Sequence, residues 1–159
     1  MIVVKNYHNS GFSLIELITV IILLGILGVV ALGRFSGGGD VFAARGFFDD
    51  TVNAVRFAQK LAISSGCDVR VVTTAGGYQL LQSSTCGADD FTGAVANPAN
   101  RANSYQNLNI PAGHSLTAGS ITFNARGERE GSTSDFTLSG GSGSYSFRVH
   151  ATTGLVEVL

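Results

Sequence analysis

Charge is scarce in this chain. Asp, Glu, Lys and Arg make up 13% of 159 residues, and ten basic against eleven acidic residues leave a formal net charge of −1. That excludes a general basic footprint for nucleic acid. Cysteine is scarce as well. Only Cys67 and Cys86 are present, far from the Cys-x-x-Cys spacing of a metal or redox motif. Enzymatic signatures are missing. No Gly-x-Ser-x-Gly elbow occurs, and the run Gly140-Gly141-Ser142-Gly143 lacks the Lys-Ser/Thr ending of a phosphate loop. His114 and His150 have no Cys or His neighbour at metal spacing, and Asp89-Asp90 begins no calcium-loop pattern. The expectation is a chain without catalytic residues, metal or cofactor.

Hydrophobic residues reach 45%, and they concentrate near the start. Residues 12–32 form an apolar run whose one ionisable side chain is Glu16. As a helix it would rise about 31 Å, close to the thickness of a hydrocarbon core. The preceding residues 1–11 carry Lys5 and His8, a short positive leader that would stay in the cytoplasm while the remainder is exported. No small-residue cleavage site of the A-x-A kind follows Leu32; Gly33-Arg34-Phe35-Ser36 comes next. Glu16 is the anomaly. An unpaired carboxylate in such a run costs several kcal/mol at typical magnitudes, so it needs a partner or must reach the interface.

The stretch "GFSLIELITVIILLGILGVVAL" resembles the leader and N-terminal helix of type IV pilins and type II secretion pseudopilins. The resemblance implies that a prepilin peptidase cuts after Gly11 and that the new N-terminal residue, Phe12, is N-methylated. It also proposes a partner for Glu16, the Phe12 ammonium of a neighbouring subunit. Opposite charges in low dielectric attract strongly, and pairing offsets much of the desolvation cost. Similar pilins often carry Pro at the position of Gly33; this chain departs from that pattern. The implied fold is α+β: a long N-terminal helix, half membrane anchor and half amphipathic, packed on a C-terminal antiparallel β-sheet domain.

The remaining residues divide accordingly. Residues 33–66 read as a hinge, centred on Gly37-Gly38-Gly39, followed by an amphipathic helix with Asp40 as N-cap and Gly66 as C-cap. Val41, Ala44, Phe48, Val52, Val55, Ala58 and Ala62 recur at helical spacing; Phe42 falls on the polar face, as a lone exposed aromatic or a subunit contact. Residues 67–159 read as strands. Segments 67–74 and 78–83 form a hairpin turning at Ala75-Gly76-Gly77. That pairing brings Cys67 and Cys86 to one end. Behind an export signal a disulfide is expected, with two unpaired buried thiols as the alternative. Closing such a loop contributes on the order of 3 kcal/mol in the chain-entropy model.

Residues 87–107 show no periodicity, and a loop of this length is unusual in a compact domain. It is either a variable surface loop or a recognition surface anchored by Phe91, Arg101 and Tyr105. Short strands are expected at 108–110, 115–118, 121–124, 135–138, 144–150 and 154–158. The stretches "SITFNARGERE" and "YSFRVHATTGLVEV" resemble the C-terminal domain of H-type minor pseudopilins and related minor pilins. Some minor pilins of that group bind DNA. Here Glu128 and Glu130 offset Arg126 and Arg129, so nucleic acid is not an expected partner. The expected partners are other pilin subunits, the prepilin peptidase and the inner membrane, with the β-domain in the periplasm. A secretion pseudopilin and a membrane-anchored periplasmic binding module, either an adhesin or a DNA receptor, remain as rival readings.

Overall fold

The structure is a computed structural model describing residues 12–35 (backbone alone from residue 30), 39–130, 135–141 and 143–159. The chain divides into two units, Met1–Gly39 and Asp40–Leu159. In the first, helix α1 runs Leu14–Phe35. The second contains nearly all of helix α2, Gly39–Ser65, and every strand. Helix α2 starts one residue earlier than expected. Asp40 therefore sits in its first turn, where a carboxylate complements the helix dipole, and not at the N-cap. Of the expected hinge, Ser36 to Asp40, residues 36–38 lie outside the described residues, while Gly39 and Asp40 already belong to α2. Gly66 ends α2 as expected: its φ is +70°, and its N–H donates to the Ala62 carbonyl at 3.0 Å.

The strands are β1 Val69–Thr74, β2 Gly77–Gln82, β3 Gly93–Ala94, β4 Gln106–Asn107, β5 His114–Leu116, β6 Gly119–Phe123, β7 Arg129–Glu130, β8 Asp135–Gly140, β9 Gly143–Val149 and β10 Val156–Val158. They form two antiparallel sheets among the described residues. One has the order β3-β2-β1-β6-β7, with β4 also paired to β2; the other has the order β10-β9-β8-β5. The β1–β2 hairpin forms, in register from Val69↔Gln82 to Thr74↔Gly77. Strand β1 starts at Val69 and not at residue 67, because Cys67 is held by the Ser65 hydroxyl, which accepts its N–H at 3.3 Å. Cys67 and Cys86 are joined in a disulfide, their Cα atoms 4.7 Å apart.

Helix α2 buries a wider face than one stripe. Ala44, Phe48, Val52, Val55, Ala58 and Ala62 are buried as expected, and Phe47, Thr51 and Ala54 join them; Val41 is 43% exposed. Packing against both sheets is the reason. Phe48 packs on Phe147 and Tyr145 of β9, ring centroids 6.0 and 5.5 Å away, while its neighbour Phe47 faces Tyr78 of β2 at 6.2 Å. Thr51 enters the core because its hydroxyl donates to the Phe47 carbonyl at 2.8 Å. Ala44, Ala54, Ala58 and Ala62 on the buried side of the helix are at most 1% exposed. Inward-facing Val69, Val71, Leu80, Ile121, Phe123, Phe136 and Leu138 are 0% exposed. Each such side chain contributes roughly 1.5–3 kcal/mol on burial.

Two corrections concern the segment after β2. Residues 108–110 are not a strand; the pairing is made two residues earlier by β4. Residues 87–107 are not an irregular surface loop either. They fold back along β2, through Leu81↔Ala94 at β3 and Tyr78↔Asn107 at β4, with a further bridge Ala96↔Ser104. Phe91 is 5% exposed and takes the Arg70 guanidinium over its ring at 3.7 Å. Tyr105 packs on Phe57 at 5.1 Å and on Tyr78 at 6.5 Å. Both aromatics anchor the loop inward, so neither can serve as the exposed recognition anchor expected of it. Arg101 is exposed.

Candidate assembly site

At the start of α1 lies the motif Ser13-Leu14-Ile15-Glu16. Ser13 is the N-cap. The Glu16 N–H donates to the Ser13 hydroxyl at 3.3 Å and to its carbonyl at 3.1 Å. Ser-x-x-Glu is the capping-box pattern, a signal in the sequence that identifies Ser13 as the residue opening the helix. Glu16 thus stands in the first helical turn, where the dipole favours a negative charge. Among the described residues, no hydrogen bond or ion pair reaches its carboxylate. Phe12 is 84% exposed, and with Glu16, Leu17, Val20 and Ile21 it lines a shallow hollow of about 270 Å³ on one side of the helix.

Every side chain described on α1 is exposed. Ile15, Leu17, Ile22, Leu24 and Leu27 each exceed half their maximal accessible area. A Cβ added at Gly25 or Gly28 would meet nothing within 4 Å. An apolar helix with bare glycines has no use for them inside its own chain; close packing is what small residues serve. Among the described residues no helix is long and apolar enough to cross a membrane. The apolar run of the sequence continues to Leu32, past the last side chain described in α1. Gly11 lies outside the described residues.

The other candidate residues are dispersed. His150 contacts Glu157 at 2.9 Å, while the His114 ring sits by the Ala112 carbonyl at 3.1 Å. No group of three or more His, Cys, Asp and Glu that could hold a metal occurs among the described residues. Asp90 is held by the backbone N–H and hydroxyl of Ser84, hydrogen bonds that lower its pKa below the usual carboxylate range. Arg126 is paired with Glu128 at 2.7 Å and Arg148 with Asp135 through two 2.7 Å bonds. These pairs raise the pKa of both arginines and lower that of Glu128.

Two polar arrangements were invisible in the sequence. Asp50 of α2 accepts from the Tyr78 hydroxyl at 2.6 Å and from Asn107 Nδ2 at 2.9 Å, tying helix, β2 and β4 together. Burial first, and Asp50 second, push the Tyr78 pKa well above the usual tyrosine value. Gln59 Nε2 donates to the Gly127 and Thr153 carbonyls, both at 2.9 Å. It therefore clamps the turn after β6 to the turn after β9. Gly154, at φ +63°, leaves no room there: a Cβ would lie 2.0 Å from the Gly127 carbonyl oxygen.

A capped apolar helix, in whose first turn Glu16 has no partner among the described residues, and a second helix packed on antiparallel sheets make up a type IV pilin-like fold. The chain belongs to the GspH family: the family model described as "Type II transport protein GspH" matches residues 49–154. The model described as "Prokaryotic N-terminal methylation motif" matches residues 6–32. Two crystal forms of the type IV minor pilin FimU from Pseudomonas aeruginosa share the fold. One is 12% identical with a TM-score of 0.51, covering 72% of this chain and 91% of that one. The other is 11% identical with a TM-score of 0.53, covering 73% and 87%. No curated protein matches the chain.

Proposed function

We propose that the protein is a minor subunit of a type IV pilus. It inserts in the inner membrane through residues 12–32, is cut by prepilin peptidase after Gly11, is N-methylated at Phe12, and then enters the fibre to prime or cap its assembly. Its β-domain lies in the periplasm before assembly. The observation that carries this reading is the start of α1, where Glu16, the one ionisable side chain of residues 12–32, has no hydrogen bond or ion pair to its carboxylate among the described residues. In a lone subunit that charge is a cost; beside a neighbour's Phe12 ammonium it becomes a specific contact. The Phe123 strand with its glycine turn and the closing Thr153-Gly154 hairpin support a likeness to minor pilin C of mannose-sensitive haemagglutinin pili.

The GspH family description supports a second reading, a minor pseudopilin of a type II secretion machine. Both readings share the leader chemistry and differ in the fibre. Mass spectrometry of the membrane-extracted chain tests the shared part: it should begin at a methylated Phe12. A mature chain still beginning at Met1 overturns both. Deletion of the gene then separates them, since loss of surface fibres supports the pilus and loss of protein export supports the secretion machine.

A further inference from the structure

The loop between β3 and β4 carries the one Asp, Glu, Lys or Arg found from Phe91 to Ala125, namely Arg101. This segment is built rather than slack. The Tyr105 N–H donates to the Val95 carbonyl at 2.6 Å, and the Asn97 N–H to the Asn103 carbonyl at 2.9 Å. Asn97 Oδ1 accepts from the Ala99 N–H at 2.9 Å and Asn100 Oδ1 from the Ala102 N–H at 3.2 Å. Its two stems pair with β2, and the second is fixed to α2 through Asn107 and Asp50. Two asparagine side-chain carbonyls are thus consumed in holding the turn, and the exposed guanidinium is left at its apex.

Arg101 also differs from the other arginines. Arg45, Arg126 and Arg148 are each ion-paired with a carboxylate of this chain. Arg56 donates to the Val156 carbonyl and Arg70 to the Thr122 hydroxyl, and Arg129 has a partner too. Among the described side chains, Arg101 is the one arginine with no hydrogen bond or ion pair. We propose that the 95–105 loop is a preformed docking tip, and that Arg101 seats on a carboxylate presented by a neighbouring subunit of the fibre. A guanidinium fork binds a carboxylate through two parallel hydrogen bonds, and a loop already ordered loses little entropy on docking. One cation on an otherwise uncharged loop suits a single carboxylate and not a polyanion, which needs several.

The proposal rests on the fibre-subunit reading, and the experiment separates the two. The full chain is expressed in its native host, and sheared fibres are probed for it. Arg101→Glu should cut incorporation about tenfold or more, as loss of a charge-assisted bidentate contact would, with leader cleavage and thermal unfolding unchanged. Arg101→Lys should retain an intermediate level. A benzoylphenylalanine photo-crosslinker at Ala102 should capture another fibre subunit, and reversing an acidic residue at the captured position should restore Arg101→Glu. Wild-type incorporation of Arg101→Glu, or capture of no fibre subunit, overturns the docking tip while leaving the fibre reading intact. Absence of the unmodified chain from fibres overturns the fibre reading, and the docking tip with it.

Discussion

Glu16, Gly154 and Tyr78 show how single side chains carry separate tasks. Glu16→Ala should leave membrane insertion and leader cleavage intact while lowering recovery in sheared fibres. Normal recovery would show that the carboxylate pairs with no neighbour. Gly154 acts through shape. Gly154→Ala adds a Cβ onto the Gly127 carbonyl at a positive φ, so thermal unfolding in mild detergent should register a loss of about 2–4 kcal/mol. Gly87→Ala, also at positive φ but facing open space, should lose only about 1 kcal/mol. Tyr78 supplies a pH dependence. Its folded pKa is raised above the ordinary value of 10.0, so its contribution is fully present below pH 10 and is lost as pH rises past it. Stability should fall by up to about 1.4 kcal/mol per pH unit above 10, and Tyr78→Phe should flatten that decline.

Among the elements, α2 is the keystone of the β-domain. Phe47 and Phe48 are adjacent in sequence and face different sheets. Asp50 binds β2 and β4, while Gln59 binds two turns from different sheets. Asp50→Ala leaves the buried Tyr78 hydroxyl without its acceptor, and denaturant unfolding should show a loss of about 1–3 kcal/mol. Amide exchange should speed at β4 before it does in β1, because β4 has only two paired residues and relies on Asn107. The sequence displayed half of this element. Its 3.6-residue period revealed the Phe48 stripe, and Gly66 marked the end. Phe47, Thr51 and Ala54 stayed hidden because a period identifies one buried face, and packing against two sheets makes the face wider.

At the scale of the whole molecule, one disulfide joins Cys67 to Cys86. The chain purified without reductant should show no free thiol, since Cys67 and Cys86 are bridged; two reactive thiols would contradict the bridge. What the sequence by itself determined was local: an apolar helix with Glu16 in its first turn, a hairpin that brings two cysteines together, and glycines where the chain must turn. These follow from side-chain chemistry and short-range periodicity. Tertiary structure decided the rest. It split the strands into two sheets, turned Phe91 and Tyr105 inward, and left Arg101 without a partner among the described residues. Those outcomes depend on contacts between residues far apart in the chain, such as Asp50 with Asn107 or Gln59 with Thr153, and no local pattern records which distant surfaces will meet.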